Sequence, residues 1–155
     1  MLTAAKIAGY TTLGVEIDPK FCQEVFILTG IHLLPVDIFF QTSPASMLAD
    51  IISLNDVLEH QLQPVLLIKK LASFLKPGGI ISIEVPDFTN HSGSIYDWHH
   101  EKQHEHLHCF SRNSLCCIFK SFPTMVNVQE ANPVKGKLQS VWRKQLEEPE
   151  IKETK

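Results

Sequence analysis

The sequence predicts an α/β protein with a parallel sheet, on three observations. The apolar run Ile51–Leu54 ends abruptly in polar Asn55-Asp56, as a buried strand of a parallel sheet does. From Pro64 to Lys76, residues Leu67, Ile68, Leu71, Phe74 and Leu75 recur with helical period, and Lys69, Ser73 and Lys76 fall on the opposite face. Pro77-Gly78-Gly79 then stops the helix and reverses the chain into a second buried strand, Ile80–Val85, closed by Pro86. Strand, helix and strand at this spacing make a right-handed βαβ unit.

The remaining elements are set around that unit. Met1–Ala8 reads as the tail of a helix stopped by Gly9. Tyr10–Ile17, rich in β-branched and aromatic residues, reads as a strand. Asp18 is the expected N-cap, and Pro19 the first turn, of a helix over Lys20–Leu28 that closes at Thr29-Gly30. Ile31–Phe40 contains a third strand interrupted by Pro35. Ser43–Leu48 offers a helical turn or two. Asp87–His108 is polar, aromatic and histidine-rich without a sustained period, hence a long surface loop of the kind that carries function. Ser111 is an N-cap for Arg112–Ser121, where Leu115, Ile118, Phe119 and Phe122 mark an apolar face. Thr124–Val128 is an expected edge strand. From Gln139 the chain is mostly charged and reads as a disordered tail.

Composition narrows the function. A chain of 155 residues holds one core and is short for two. With 44% apolar and 20% charged residues and a formal net charge of −3, it has ordinary globular composition and no basic field for nucleic acid. No apolar run is long enough to span a bilayer. Cys22, Cys109, Cys116 and Cys117 show no CxxC spacing, so a reducing, cytoplasmic setting is expected, with Cys116-Cys117 read as core. Five of the eight histidines lie between His99 and His108.

The string Asn55-Asp56-Val57-Leu58-Glu59-His60, a helix, and then Phe74–Pro86 (FLKPGGIISIEVP) resemble the fourth strand, following helix and fifth strand of class I S-adenosylmethionine (SAM) dependent methyltransferases. The resemblance extends from Gly14–Asp18 (GVEID) to Glu105–Ser111 (EHLHCFS). It implies a three-layer α/β/α Rossmann-like sheet, mostly parallel and lacking the family's first strand and Gly-rich loop. No GxGxG occurs in the sequence, and Gly78-Gly79 precedes a strand rather than opening a helix. On this basis residues 1–138 form a partial SAM-dependent methyltransferase domain and 139–155 a charged tail. The strand beside Ile51–Leu54 would be missing, leaving a sheet edge able to associate with another chain.

Site residues follow from both readings. An acidic residue ending the second strand of a doubly wound fold accepts hydrogen bonds from ribose hydroxyls, which points to Glu16. By resemblance Ile17 lies against the adenine, and Asn55, Asp56 and Val57 line the methionine side of the cofactor. Asp56-x-x-Glu59-His60 is similar to the Glu-x-x-Glu-His of certain metal-dependent methyltransferases acting on ubiquinone precursors or RNA ends. Asp in place of the first Glu is a departure, and no obligatory metal site is expected there. His104-Glu105-His106 resembles the string near the methyl acceptor in sugar C-methyltransferases, although Gln103 replaces a Tyr. Chemically, His106 is suited to take a proton from the acceptor with Glu105 orienting it. The implied activity is transfer of the SAM methyl group to an O, N or C atom of a small-molecule acceptor, impaired in a chain without the loop. The alternative is a non-catalytic methyltransferase-like fragment acting as a protein-interaction module.

Overall fold

The computed structural model describes residues 1–89, 105–134 and 136–146. Gln103, His104 and most of the histidine-rich loop lie outside these residues, as does the chain beyond 146. The chain divides into two units, Met1–Met47 and Leu48–Lys155.

In the first unit, α1 (Leu2–Ile7) runs out before Gly9, whose φ of 87° is a conformation that glycine adopts without a steric penalty. β1 (Gly14–Glu16) and β2 (Leu33–Pro35) pair in parallel, joined by α2 (Pro19–Thr29). Asp18 caps α2, its Oδ1 accepting from the Lys20 N–H at 2.8 Å. Gly30 ends α2 in the left-handed region, its N–H donating to the Phe26 carbonyl. The strand expected over Ile31–Phe40 is much shorter, because Val36–Gln41 folds as a helix, α3. Pro35 cannot donate to a ladder and lies immediately before that helix. A single 3₁₀ turn, Pro44–Ser46, follows. Ile31 and Phe39 are buried here, whereas Ile17, Ile27 and Leu28 are exposed.

The second unit opens with the expected βαβ motif: β3 (Ala49–Asn55), α4 (Pro64–Ser73) and β4 (Leu75–Pro86). β3 and β4 run parallel, with Ile51 opposite Ile80 and Leu54 opposite Ile83. Ile68, Leu71, Phe74 and Leu75 are buried on the predicted helix face, together with Ile81, Ile83 and Val85 of β4. Ile51, expected to be buried, is 62% exposed: it lies on the same face of β3 as exposed Ser53 and Asn55, whereas Leu54 on the opposite face is buried. Pro77-Gly78-Gly79 does not form a separate reversal. β4 already begins at Leu75, and its register against β3 shifts between Ala49 and Ile51. A Cβ on Gly79 would lie 2.9–3.2 Å from the carbonyl oxygens of Lys76, Asp50 and Ala49. Lys76, beyond the end of α4, instead pairs with the Asp50 carboxylate at 2.8 Å.

The sheet order is β3-β4-β6-β5, with β5 (Met125–Val134) at the other edge and β6 (Lys137–Lys144) between β4 and β5, antiparallel to both. Residues 139–144 are therefore strand rather than tail. Their charged appearance hides a period of two: Leu138, Ser140 and Trp142 are buried and their neighbours face outward. Trp142 stacks on Phe119 of α5 (Arg112–Lys120), centroids 4.2 Å apart and planes 6° apart. Ser111 and Ser114 form a reciprocal capping box at the start of α5. Leu115 and Phe119 are buried as predicted, but Cys117, read as core, is exposed. No helix among the described residues is long and apolar enough to cross a membrane.

Candidate functional site

Parallel strands bring ligand-binding residues to their carboxyl ends, and β3 delivers Asn55-Asp56-Val57 there. Asp56 has φ 50°, a left-handed conformation that Asp tolerates better than most residues, and its N–H donates to the Glu84 carbonyl at 3.0 Å. Its carboxylate accepts from the Lys137 ammonium, which also donates to Glu84 at 3.1 Å. Gln139 donates to the other Glu84 oxygen. The hydrogen bond to Asp56 raises the Lys137 pKa above its ordinary value, against the opposing effect of burial. Asn55 accepts from the Ser53 hydroxyl at 3.2 Å, and Val57 is half-buried.

Glu16 and Ile17 belong to the first unit. One Glu16 oxygen accepts from the N–H groups of Ile17 (2.7 Å) and Asp18 (3.1 Å), which pins the carboxylate at the strand end. Ile17 is 79% exposed.

A second cluster forms where the chain returns after residue 104. The Phe88 N–H donates to the Phe110 carbonyl at 2.8 Å, so the returning segment runs beside the end of β4. Leu107 and His108 donate their N–H groups to the Glu59 carbonyl at 2.9 and 3.1 Å. Those bonds clamp the segment onto the 3₁₀ turn Leu58–His60, which is anchored by fully buried Leu58. His106 is thereby placed against His60, ring centroids 4.9 Å apart. His60 Nδ1 lies 2.7 Å from the Glu105 carbonyl oxygen. A carbonyl only accepts, so Nδ1 carries the proton, and in the neutral ring Nε2 holds the lone pair. That Nε2 is 3.8 Å from Glu59 Oε1.

Glu59 is the unusual member. It is 1% exposed, and among the described residues neither carboxylate oxygen has a hydrogen-bond partner. Burial pushes its carboxyl above the ordinary range, opposed in part by the nearness of its own backbone amide and of His60. Glu59, His60 and His106 each present a ligand atom within 4.8 Å of the others.

The structure thus sorts the sequence-predicted residues. His106 joins Glu59 and His60, whereas Asp56 of the Asp-x-x-Glu-His string is tied to Lys137 instead. Glu105 contributes its backbone carbonyl to the cluster, and its side chain is exposed. Two contributions escaped sequence reading: Lys137, distant in sequence, and the partnerless burial of Glu59. The spacing of Leu58-Glu59-His60 and His104–His108 held the only hint of the second.

The fold defined by these elements is the Rossmann-like α/β fold of SAM-dependent methyltransferases. A SAM-dependent methyltransferase from Archaeoglobus fulgidus superposes with a TM-score of 0.65 at 15% identity, over 92% of this chain and 80% of that one. A chain from the complex between the Haloferax volcanii Trm112 methyltransferase activator and a methyltransferase gives 0.64 at 15% identity, over 86% and 71%. The N-methyltransferase NodS of Bradyrhizobium japonicum, in complex with S-adenosyl-L-homocysteine, gives 0.57 at 15%, over 91% and 71%. No curated protein matches the chain. The methyltransferase-domain family matches residues 1–122, and the chain belongs to that family.

Proposed function

We propose that the chain is a SAM-dependent methyltransferase domain acting on a small-molecule acceptor. The observation that carries this reading is the position of Asn55-Asp56-Val57 at the carboxyl end of β3, within a chain of the methyltransferase-domain family. Glu16 would take the ribose hydroxyls, Ile17 the adenine face, and Asn55–Val57 the methionine side. Lys137 bonds both Asp56 and Glu84, a contact that would orient the Asp56 side chain at this end of β3. His106, backed by His60 and Glu59, would accept the acceptor's proton as the methyl group transfers, with Glu105 holding His60 through its carbonyl. A cytoplasmic setting belongs to the same reading, resting on the spacing of the four cysteines in the sequence.

Since the sequence contains no GxGxG, the 155-residue chain should bind SAM weakly and transfer methyl groups poorly. Calorimetric titration with SAM is the test. Binding should strengthen when a family-like strand and Gly-rich loop are supplied upstream, and Glu16→Ala should weaken it again. In that extended protein, His106→Ala should lower turnover far more than SAM affinity. No SAM binding by the extended protein would refute the reading. A second reading, a non-catalytic interaction module, draws on edge strand β3 with Ile51 exposed. A stable complex with another chain, unaffected by Glu16→Ala and His106→Ala, would favour it.

A further inference from the structure

We propose that Glu59, His60 and His106 hold the ammonium group of a primary amine, and that this amine is the methyl acceptor. The second half of the proposal rests on the methyltransferase reading; the binding site does not. Glu59 is a carboxylate 1% exposed, and its oxygens have no hydrogen-bond partner among the described residues. Burying such a group is costly until a positive charge or N–H donors reach it. His60 cannot supply them in its neutral form. Its Nδ1–H is spent on the Glu105 carbonyl at 2.7 Å, so its Nε2 faces Glu59 as a further acceptor. Neutral His106 also has one lone-pair nitrogen to offer, and the three groups present their atoms within 4.8 Å of one another.

An alkylammonium is the complementary group, because it carries three N–H donors in tetrahedral directions. With hydrogen bonds of about 2.8–2.9 Å, its three acceptors lie roughly 4.6–4.7 Å apart, which matches the span of the cluster. His60 Nε2 and Glu59 Oε1, at 3.8 Å, need to part by about 0.8 Å, a distance that rotation of the Glu59 side chain covers. A hydroxyl brings one donor and leaves two acceptors unmet. The surrounding charge points the same way. Asp56 and Glu84 share one cation, Lys137, which leaves excess negative charge at the carboxyl ends of β3 and β4. Asp56 and Lys137 both act on the Glu59 carboxyl from there. His60, with a side chain 33% exposed, and half-buried His106 form the side from which the amine enters. His106 then takes one N–H proton from the ammonium. That leaves a neutral amine with the lone pair a methyl acceptor needs, and an imidazolium that Glu59 stabilises.

The full chain, labelled at its histidine imidazoles and kept in chelator to remove metal ions, should be titrated with n-butylamine at neutral pH and followed by NMR. The His60 and His106 signals should shift saturably, with a Kd of about 1 mM, a range open to so small a ligand. The n-butyltrimethylammonium ion has the charge without N–H donors, and n-butanol has one donor without the charge. Each should bind at least about tenfold more weakly than the amine. Glu59→Gln should weaken butylamine binding by a similar factor, with circular dichroism to check its fold. The comparison among the three probes on the parent chain decides the matter even if that variant fails to fold. No saturable shift, equal binding of all three probes, or unchanged butylamine binding by folded Glu59→Gln overturns the proposal. In the protein extended upstream, SAM binding without butylamine binding overturns this proposal alone. Butylamine binding without SAM binding there refutes the methyltransferase reading and leaves the ammonium site standing.

Discussion

Replacing Trp142 by Ala should destabilise the second unit by about 3–5 kcal/mol, the usual cost of truncating a large buried aromatic. Trp142 is 6% exposed, stacks on Phe119 at 4.2 Å, and donates its Nε1–H to the buried Ser140 hydroxyl at 3.3 Å. The stacked geometry accounts for about 0.5–1.5 kcal/mol beyond area burial. Phe119, 1% exposed, should show a loss of similar size on truncation. The double variant should then fall short of the summed single losses by about the stacking energy, because both single changes break the same contact. Domains of ordinary stability hold about 5–15 kcal/mol, so either variant gives up a large share. Urea denaturation followed by far-UV circular dichroism measures this. With a slope of about 1–3 kcal/mol per molar urea, the midpoint should fall by more than about 1 M. A Trp142→Ala midpoint within about 0.2 M of the parent, together with unchanged stability of a chain ending at residue 138, would remove β6 from the fold.

Two further outcomes test particular contacts. Gly79→Ala should cost about 1–3 kcal/mol by thermal or urea melting, because its Cβ would press on three backbone carbonyls that cannot rotate away; an unchanged midpoint refutes that crowding. Lys137 has a raised folded-state pKa, so its pairing with Asp56 and Glu84 stabilises fully below its ordinary value of 10.5 and is lost as pH rises through the higher folded value. Urea melts from pH 8 to 11.5 should show a steeper alkaline loss in the parent than in Lys137→Met, and parallel pH profiles would count against the pairing.

The βαβ unit was legible in the sequence because its signals are local. Helical period buried Ile68, Leu71 and Phe74, and the Asp18 and Ser111 caps lie within one turn of the helices they start. The strand-end position of Asn55–Val57 followed from the same pattern, since a strand's carboxyl end is set by where its apolar run stops. Short-range signals were weakest where two kinds of pattern overlapped. Val36–Gln41 reads as strand by composition, yet forms a helix after Pro35. In Lys137–Lys144, charged residues on the outward positions masked a strand whose inward residues number only three.

Tertiary structure alone decided which side chains meet. Asp56 and Lys137 are far apart in sequence and join only because β6 inserts beside β4. His106 reaches Glu59 and His60 because the Leu107 and His108 amides bond the Glu59 carbonyl, a pairing without a sequence period. Sequence therefore established the βαβ unit, the capped helices and the family resemblance, through interactions within a turn or a strand. The charge environment of Glu59 depended on long-range packing, since burial and the loss of hydrogen-bond partners arise only when distant segments close over the same point.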